Sequence, residues 1–336
     1  MRIFHHPDQA LHRPERELHN GGFVAYAEDA RRIESILAVL GEPEMPDDRG
    51  EGPIRAVHDG DYVDFLKSAY ARWKAAGRDG DAFGYAWPVV GRRPLTLNRI
   101  DGDLGRYSFD AASPISQGTW EAAYATAQTA IGACDAVLRG EGAAFALCRP
   151  PGHHAGHDYL GGYCYLNAAA IAAQHARDNG VARVAILDID YHHGNGTQDI
   201  FYTRGDVFYA SLHADPATDF PFYWGHADET GEGAGQGATL NLPLARGTTL
   251  AAFRSAQAKA LDAIAAFDPG MLIVSLGVDT WDGDPISQFA IRTQDYRALA
   301  ADIAARGWPT AILMEGGYAI EALGANVESF LSGFPG

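Results

Sequence analysis

Residues 188–196 read DIDYHHGNG, two acids two apart followed by adjacent histidines and a turn. In an extended chain Asp188, Asp190 and His192 fall on one face, because side chains alternate with period two. Two of these with Asp279, which follows the apolar run at 271–277, would make a set of one histidine and two carboxylates. That set suits Zn²⁺ with an open position, and Fe²⁺ or Co²⁺ also accept it. A single acid at a strand end is usually a cap or a hydrogen-bond partner. A convergent group is far rarer. His153-His154 follows a rigid Pro150-Pro151-Gly152 turn. Paired histidines near neutral pH suit general acid–base work. Each needs a partner for its second nitrogen, and Asp188 and Asn195 are the candidates. Tyr318, behind Gly316-Gly317, is set to bring a hydroxyl to a reacting oxygen.

These residues need strands to deliver them. Apolar, β-branched runs predict strands at 144–148, 182–189, 206–212, 238–244, 271–277 and 310–315. Amphipathic runs predict helices at 28–40, 61–76, 118–139, 165–179, 249–267, 293–306 and 320–332. In the run 118–139, Trp120, Tyr124, Ala127, Ile131, Cys134 and Leu138 form an apolar stripe at helical spacing. Apolar strands alternating with helices imply a parallel sheet covered on both faces. Ligands of such sheets sit beyond the carboxyl ends of the strands. Several predicted strands end on ionisable or hydroxyl groups, His213 among them, so one sheet edge is expected to hold the site. Residues 76–117 are rich in Gly, Pro, Arg and Asp with little period. They read as a long loop, and such loops are usually functional.

Composition narrows the classes. A net charge of −17 argues against nucleic acid, which needs a basic surface, and agrees with a cationic ligand. The three cysteines, Cys134, Cys148 and Cys164, make no disulfide framework, so a reducing compartment, the cytoplasm, is expected. No signal-peptide pattern or membrane-length apolar run is seen. The 336 residues are expected to form one domain. The glycine-rich 231–237 lacks the spacing and context of a phosphate loop.

Together the motifs resemble those of the arginase–deacetylase superfamily, and within it the histone-deacetylase-like amidohydrolases. They are RPPGHHAG at 149–156, GGYCYLN at 161–167, ILDIDYHHGNGTQDIF at 186–201, SLH at 211–213, VSLGVDT at 274–280 and MEGGY at 314–318. ELHNGG at 17–22, the loop at 76–117 and DPIS at 284–287 resemble the acetylpolyamine amidohydrolase branch. The resemblance implies a three-layer α/β/α fold with a mainly parallel sheet of about eight strands. It implies one metal per chain on Asp190, His192 and Asp279. His153 and His154 become the catalytic pair, oriented by Asp188 and Asn195, with His154 as general base. Tyr318 and the metal become the partners of the oxyanion. Many relatives have aspartate where Asn195 stands, and an amide leaves His154 harder to ionise. Tyr163, Phe220 and Gly162 match the acyl tunnel, and Glu17 an acidic position at its mouth. Asp101, Asp103 and Asp110 are further acidic candidates there. Structural K⁺ or Na⁺ is implied at Asp188, Ser211 and the carbonyls of Asp190, His192 and Leu212. A second such site is implied at the carbonyls of Phe201, Arg204 and Val207.

The expected reaction is hydrolysis of small N-acetylated polyamines or diamines to acetate and amine, in a homodimer whose long loop narrows the entrance. A protein acetyl-lysine deacetylase is the competing enzyme. A non-catalytic binder would lack one of these groups. A binuclear hydrolase would need a DxD pair at Asp279, and Asp282 is three residues on.

Overall fold

The structure, a computed structural model, describes residues 1–89 and 97–335. Its strands are β1 (Arg2–Phe4), β2 (Arg16–His19), β3 (Gly22–Ala25), β4 (Ala143–Ala146), β5 (Val184–Asp188), β6 (Val207–Ala214), β7 (Thr239–Leu244), β8 (Met271–Leu276) and β9 (Thr310–Met314). Its α-helices are α1 (Arg31–Leu40), α2 (Gly52–Arg55), α3 (Gly60–Ala75), α4 (Ile100–Arg106), α5 (Thr119–Leu138), α6 (Ala168–Asp178), α7 (Asn195–Phe201), α8 (Leu250–Phe267), α9 (Tyr296–Ala304) and α10 (Ile320–Leu331).

Among the described residues one sheet has seven strands, in the order β1-β4-β9-β8-β5-β6-β7, every neighbouring pair parallel. The architecture is the expected three-layer α/β/α one, with seven strands where about eight were anticipated. β5, β8 and β9 are buried along their whole length. Strands covered on both faces must be apolar throughout, and VAILD, MLIVSL and TAILM are nearly so. Helix α5 packs with α6 against the sheet, while α8 lies on β5, β6 and β7 and packs with α9.

All six predicted strands and seven predicted helices are present, with ends shifted by a few residues. Of the stripe on α5, Ala127, Ile131 and Cys134 are buried, while Trp120, Tyr124 and Leu138 are half-buried against the core. Ala122, Ala123, Ala125, Ala130, Gly132, Ala133 and Ala136 are buried too, so small residues let neighbours close on nearly every side. Residues 76–117 are not loop throughout: α4 interrupts them, and 90–96 lie outside the described residues.

β1 and the β2–β3 hairpin were not anticipated. The hairpin turns at Asn20-Gly21, with φ of 50° and 80°. Asn-Gly is the pair that tolerates positive φ at both turn positions. Register then fixes the polar edge. β5 pairs with β8 and β6 so that Asp188 stands beside Ser275 and Ser211. The polypeptide leaving β4, β5, β8 and β9 at their carboxyl ends carries His153, Asp190, Asp279 and Tyr318.

Candidate active site

After β5 the chain bends and presents Asp190 and His192; after β8 it presents Asp279. A ligand atom from each of the three lies within 4.8 Å of the others. His192 Nδ1 is 3.1 Å from Asp279 Oδ2 and 3.4 Å from Asp190 Oδ1. Backbone N–H groups fix the carboxylates. Gly316 donates to Asp190 Oδ2 at 2.8 Å, and Tyr191 donates to Asp279 Oδ1 at 3.0 Å. Glycine is required around them. A Cβ on Gly277 would sit 2.1 Å from Asp190 Oδ2, and one on Gly316 2.6 Å from Asp279 Oδ2. Burial, and then the charge of Asp190, push Asp279 up to about 7. Asp190 is held below the usual carboxylate range, since His153 and His192 outweigh its burial. Two buried carboxylates and an imidazole nitrogen converging on one point fit a divalent metal ion.

The two histidines differ sharply. His153 Nδ1 is 3.0 Å from Asp188 Oδ2, which also accepts from the Tyr209 hydroxyl at 3.0 Å. Burial opposes its charge, yet Asp188 and Asp190 raise it to about 10. His154 Nδ1 is 2.7 Å from Asn195 Oδ1. The Asn195 amide nitrogen reaches the His154 carbonyl and the Tyr159 hydroxyl, so Oδ1 is the acceptor and Nδ1 carries the proton. Nε2 is then the basic nitrogen. Burial first, then the positive neighbours His153 and His192, hold His154 well below its usual range. Gly162 packs on this ring, where a Cβ would lie 2.2 Å from His154 Cδ2.

Tyr318 stands on the turn between β9 and α10. Gly317, at φ 136°, precedes it and has no room for a side chain against Leu323 and Val278. Arg32 of α1 donates to the Gly317 carbonyl at 2.7 Å and to the Glu315 carbonyl, and its guanidinium lies 5.3 Å from the Tyr318 ring. Burial keeps the phenol protonated, a donor.

A cavity of about 440 Å³ opens over these groups. His154, His192, Gly162, Tyr163, Phe220, Ile286 and Tyr318 line it, with Glu17, Asp110 and Asp219. Tyr163 meets Tyr318 edge-on at 5.6 Å, and Phe220 meets His154 at 5.1 Å. Glu17 is 3% exposed and accepts from the Tyr163 hydroxyl at 3.0 Å; burial pushes it up to about 7. Asp110 accepts from the Gly162 N–H at 2.7 Å. Asp219 is engaged by Arg246 and the Tyr191 hydroxyl. Asp101 and Asp103 do not reach the cavity: on α4 they pair with Arg78, Arg99 and Arg72. An acid's identity says nothing about which cation takes it.

Asp188 and Ser211 lie opposite each other in the β5–β6 register, Leu212 follows Ser211 in β6, and Asp188 Oδ1 accepts from the Asp190 N–H at 3.2 Å. Phe201, at the end of α7, accepts from the Arg204 N–H at 2.9 Å, with Val207 opening β6. His193 turns away from the cavity to Asn241, at 3.1 Å.

Sequence reading missed Glu315. It is fully buried, accepts from the N–H groups of Gly152 at 2.7 Å and His153 at 3.2 Å, and meets the Ser275 hydroxyl at 3.1 Å. Burial pushes it up to about 7. It ties the histidine turn to β8 and β9. Its place at a strand end was the available signal. His153, Cys164 and Glu315 also cluster within 4.8 Å. Their polar atoms are already engaged, the thiol with the Gly162 carbonyl at 3.3 Å.

Residues 26–334 match the family model of the histone deacetylase domain. Acetylpolyamine amidohydrolase 1 of Pseudomonas aeruginosa is 48% identical over 98% of this chain and 97% of its own. The acetylpolyamine amidohydrolase of Mycoplana ramosa is 47% identical over the full length of both. The crystal structure of acetylpolyamine aminohydrolase from Burkholderia pseudomallei superposes with a TM-score of 0.94 at 43% identity, covering 99% of this chain and 98% of that one.

Proposed function

The chain belongs to the histone deacetylase domain family and is a hydrolase of acetylated amines; from that premise we propose that its substrates are small N-acetylated polyamines and diamines. One observation carries the substrate class. The cavity that holds His154, His192 and Tyr318 is walled by Tyr163 and Phe220 and bordered by Glu17 and Asp110. Aromatic walls suit a methylene chain, and buried acids suit a distant ammonium. Relatives alike over the whole chain that are named for acetylpolyamines support the same reading.

Asp190, His192 and Asp279 would hold one divalent ion per chain, zinc in this reading, with Fe²⁺ or Co²⁺ as alternatives. Such an ion supplies Lewis-acid polarisation of the acetyl carbonyl and acidifies water. The protein's own groups do the rest. Asn195 holds Nδ1–H of His154, leaving Nε2 to take the proton of the attacking water. Tyr318 donates its hydroxyl hydrogen to the carbonyl oxygen as negative charge develops there. The proton for the leaving amine comes from the histidine pair: His153, charged beside Asp188, or His154, which lines the cavity and has taken the water's proton. Tyr163, Gly162 and Phe220 orient the acetyl group and exclude water. Structural K⁺ or Na⁺ is assigned beside Asp188 and Ser211 and at the Phe201–Val207 turn. A homodimer in the cytoplasm completes the proposal. The three cysteines are buried and free, and no helix among the described residues is long and apolar enough to cross a membrane.

The test is a panel on metal-reconstituted protein: acetylputrescine, acetylcadaverine, acetylspermidine and an acetyl-lysine peptide. Each small amine is expected to turn over with higher kcat/KM than the peptide. A peptide faster than all three would replace this reading with a protein-lysine deacetylase.

A further inference from the structure

One acid beside the site has no role in the reaction described above. Asp284 lies on the loop after β8, five residues past Asp279, and is 6% exposed. Its Oδ2 accepts from the N–H of Tyr318 at 2.7 Å and from that of Ala319 at 3.2 Å. Its Oδ1 accepts from the N–H of Ile286 at 3.1 Å. These partners are backbone groups of two separate turns, and both turns line the cavity through Tyr318, Pro285 and Ile286, with Ile286 packed against the cluster of Tyr26, Tyr163 and Tyr318. Asp284's own N–H closes its turn onto the Trp281 carbonyl at 3.1 Å.

The geometry points to Asp284 as the positioning residue for Tyr318, its carboxylate fixing where the phenol stands relative to the reacting carbonyl. The turn needs such a fix. Gly316-Gly317 gives it little conformational preference of its own. Ahead of the tyrosine it is tied by Asp190 at the Gly316 N–H, by the Val278 N–H at the Gly316 carbonyl, and by Arg32 at the Gly317 carbonyl. At Tyr318 and Ala319 the side-chain tie on the N–H groups is Asp284. Helix α10 brings no cap of its own, since Ala319 stands at the N-cap position. A charged acceptor buried against two adjacent N–H groups makes bonds stronger than neutral ones. The same carboxylate holds the N–H of Ile286, whose side chain packs against the cluster containing Tyr318, so one side chain fixes both the tyrosine's backbone and a neighbour of its ring. Burial pushes the carboxyl above its usual range while the three N–H groups oppose that.

The inference rests on Tyr318 as the oxyanion's hydrogen-bond donor, and a double-mutant cycle separates the two claims. Asp284→Ala is expected to lower kcat on acetylputrescine by about 10- to 100-fold, as small misplacements of a reacting group do. KM and metal content should stay within about threefold. In the Tyr318→Phe background the same substitution should cost less than about threefold, because the hydroxyl it positions is gone. Asp284→Asn keeps one acceptor oxygen and should recover part of kcat. Equal losses in both backgrounds, or a loss lying in KM, would overturn the assignment. Wild-type kcat in Tyr318→Phe would sink the tyrosine's role and this inference with it. If Asp284→Ala does not fold, the cycle runs on Asp284→Asn. If neither folds, the carboxylate is holding the fold rather than the tyrosine, and the assignment falls.

Discussion

Replacing Asn195 by Asp changes one atom group and reverses the electrostatics around His154, the proposed general base. His154 Nδ1 lies 2.7 Å from Asn195 Oδ1, and the ring is held well below its ordinary pKa, chiefly by burial. A carboxylate there would stand about 4 Å from the centre of the imidazolium charge. At an effective dielectric constant of about 20 that attraction is worth about 4 kcal/mol, or about 3 pKa units. Desolvating the new carboxylate removes part of this, so a rise of about 1–3 units is expected. The assay is the pH profile of kcat/KM for both forms on one acetylated diamine. The acid limb, where His154 takes up its proton, should move to higher pH by that amount in Asn195→Asp. Stability follows with the same sign. A histidine depressed in the folded state contributes stability above its unfolded pKa of about 6.5 that is lost as pH falls below it. Raising the folded pKa towards that value shrinks the acid-side loss, so Asn195→Asp should resist acid unfolding better. An acid limb at the same pH in both forms would refute the account that a carboxylate at position 195 would charge His154, which burial beside an amide partner leaves neutral.

Glu17, pushed up to about 7, should be charged only above that pH. KM for acetylspermidine should therefore rise as pH falls through about 7, and Glu17→Gln should flatten that dependence while leaving kcat at high pH within about threefold. Because the folded carboxyl is raised, it favours folding below about pH 4.5 and loses that advantage as pH climbs to about 7, so Glu17→Gln should also be the more stable form at pH 8. Asp190→Ala, His192→Ala and Asp279→Ala should each cut bound divalent metal, measured by elemental analysis, by tenfold or more, with the fold retained by circular dichroism. Full metal content in any one of them would remove that residue from the trio.

Long elements could be read because their apolar patterns are long. The strand MLIVSL is a nearly unbroken apolar run, and the helix at 250–267 carries a helical period. Three-residue β1 carries none, and α7 begins with Asn-Gly, which reads as a turn. The hairpin's Asn20-Gly21 was a usable signal, since its geometry demands those residue types. At the site, groups that act through side-chain chemistry stood out by type: Asp190, His192, Asp279, the histidine pair and Tyr318. Groups that act on backbone atoms did not. Glu315, Asp284 and Arg32 bond to N–H groups or carbonyls, which every residue has, so their partners leave no pattern in the sequence. Asp101 and Asp103 were misjudged for a related reason: their arginine partners are set by tertiary packing.

The balance of buried charge explains why these acids differ in role. Asp188, Asp190, Asp279, Glu315 and Asp284 gather at one edge of the sheet, each less than 7% exposed. A buried carboxylate is tolerated only with compensating charge or donors. Asp188 has a histidine raised to about 10 and a tyrosine hydroxyl. Glu315 has two N–H groups and a serine hydroxyl, and Asp284 has three N–H groups. Glu315 and Asp284 are held by protein donors, which suits groups that hold structure. Asp190 and Asp279 share His192 between them, and their mutual repulsion helps drive Asp279 up to about 7. Asp279 stays raised despite that shared ring, and the trio reaches the cavity through His192. A divalent ion offers the charge that two carboxylates require. An amide at Asn195 fits the same balance. A sixth carboxylate would need its own cation, and His154 would supply it by giving up the neutral state that a base needs.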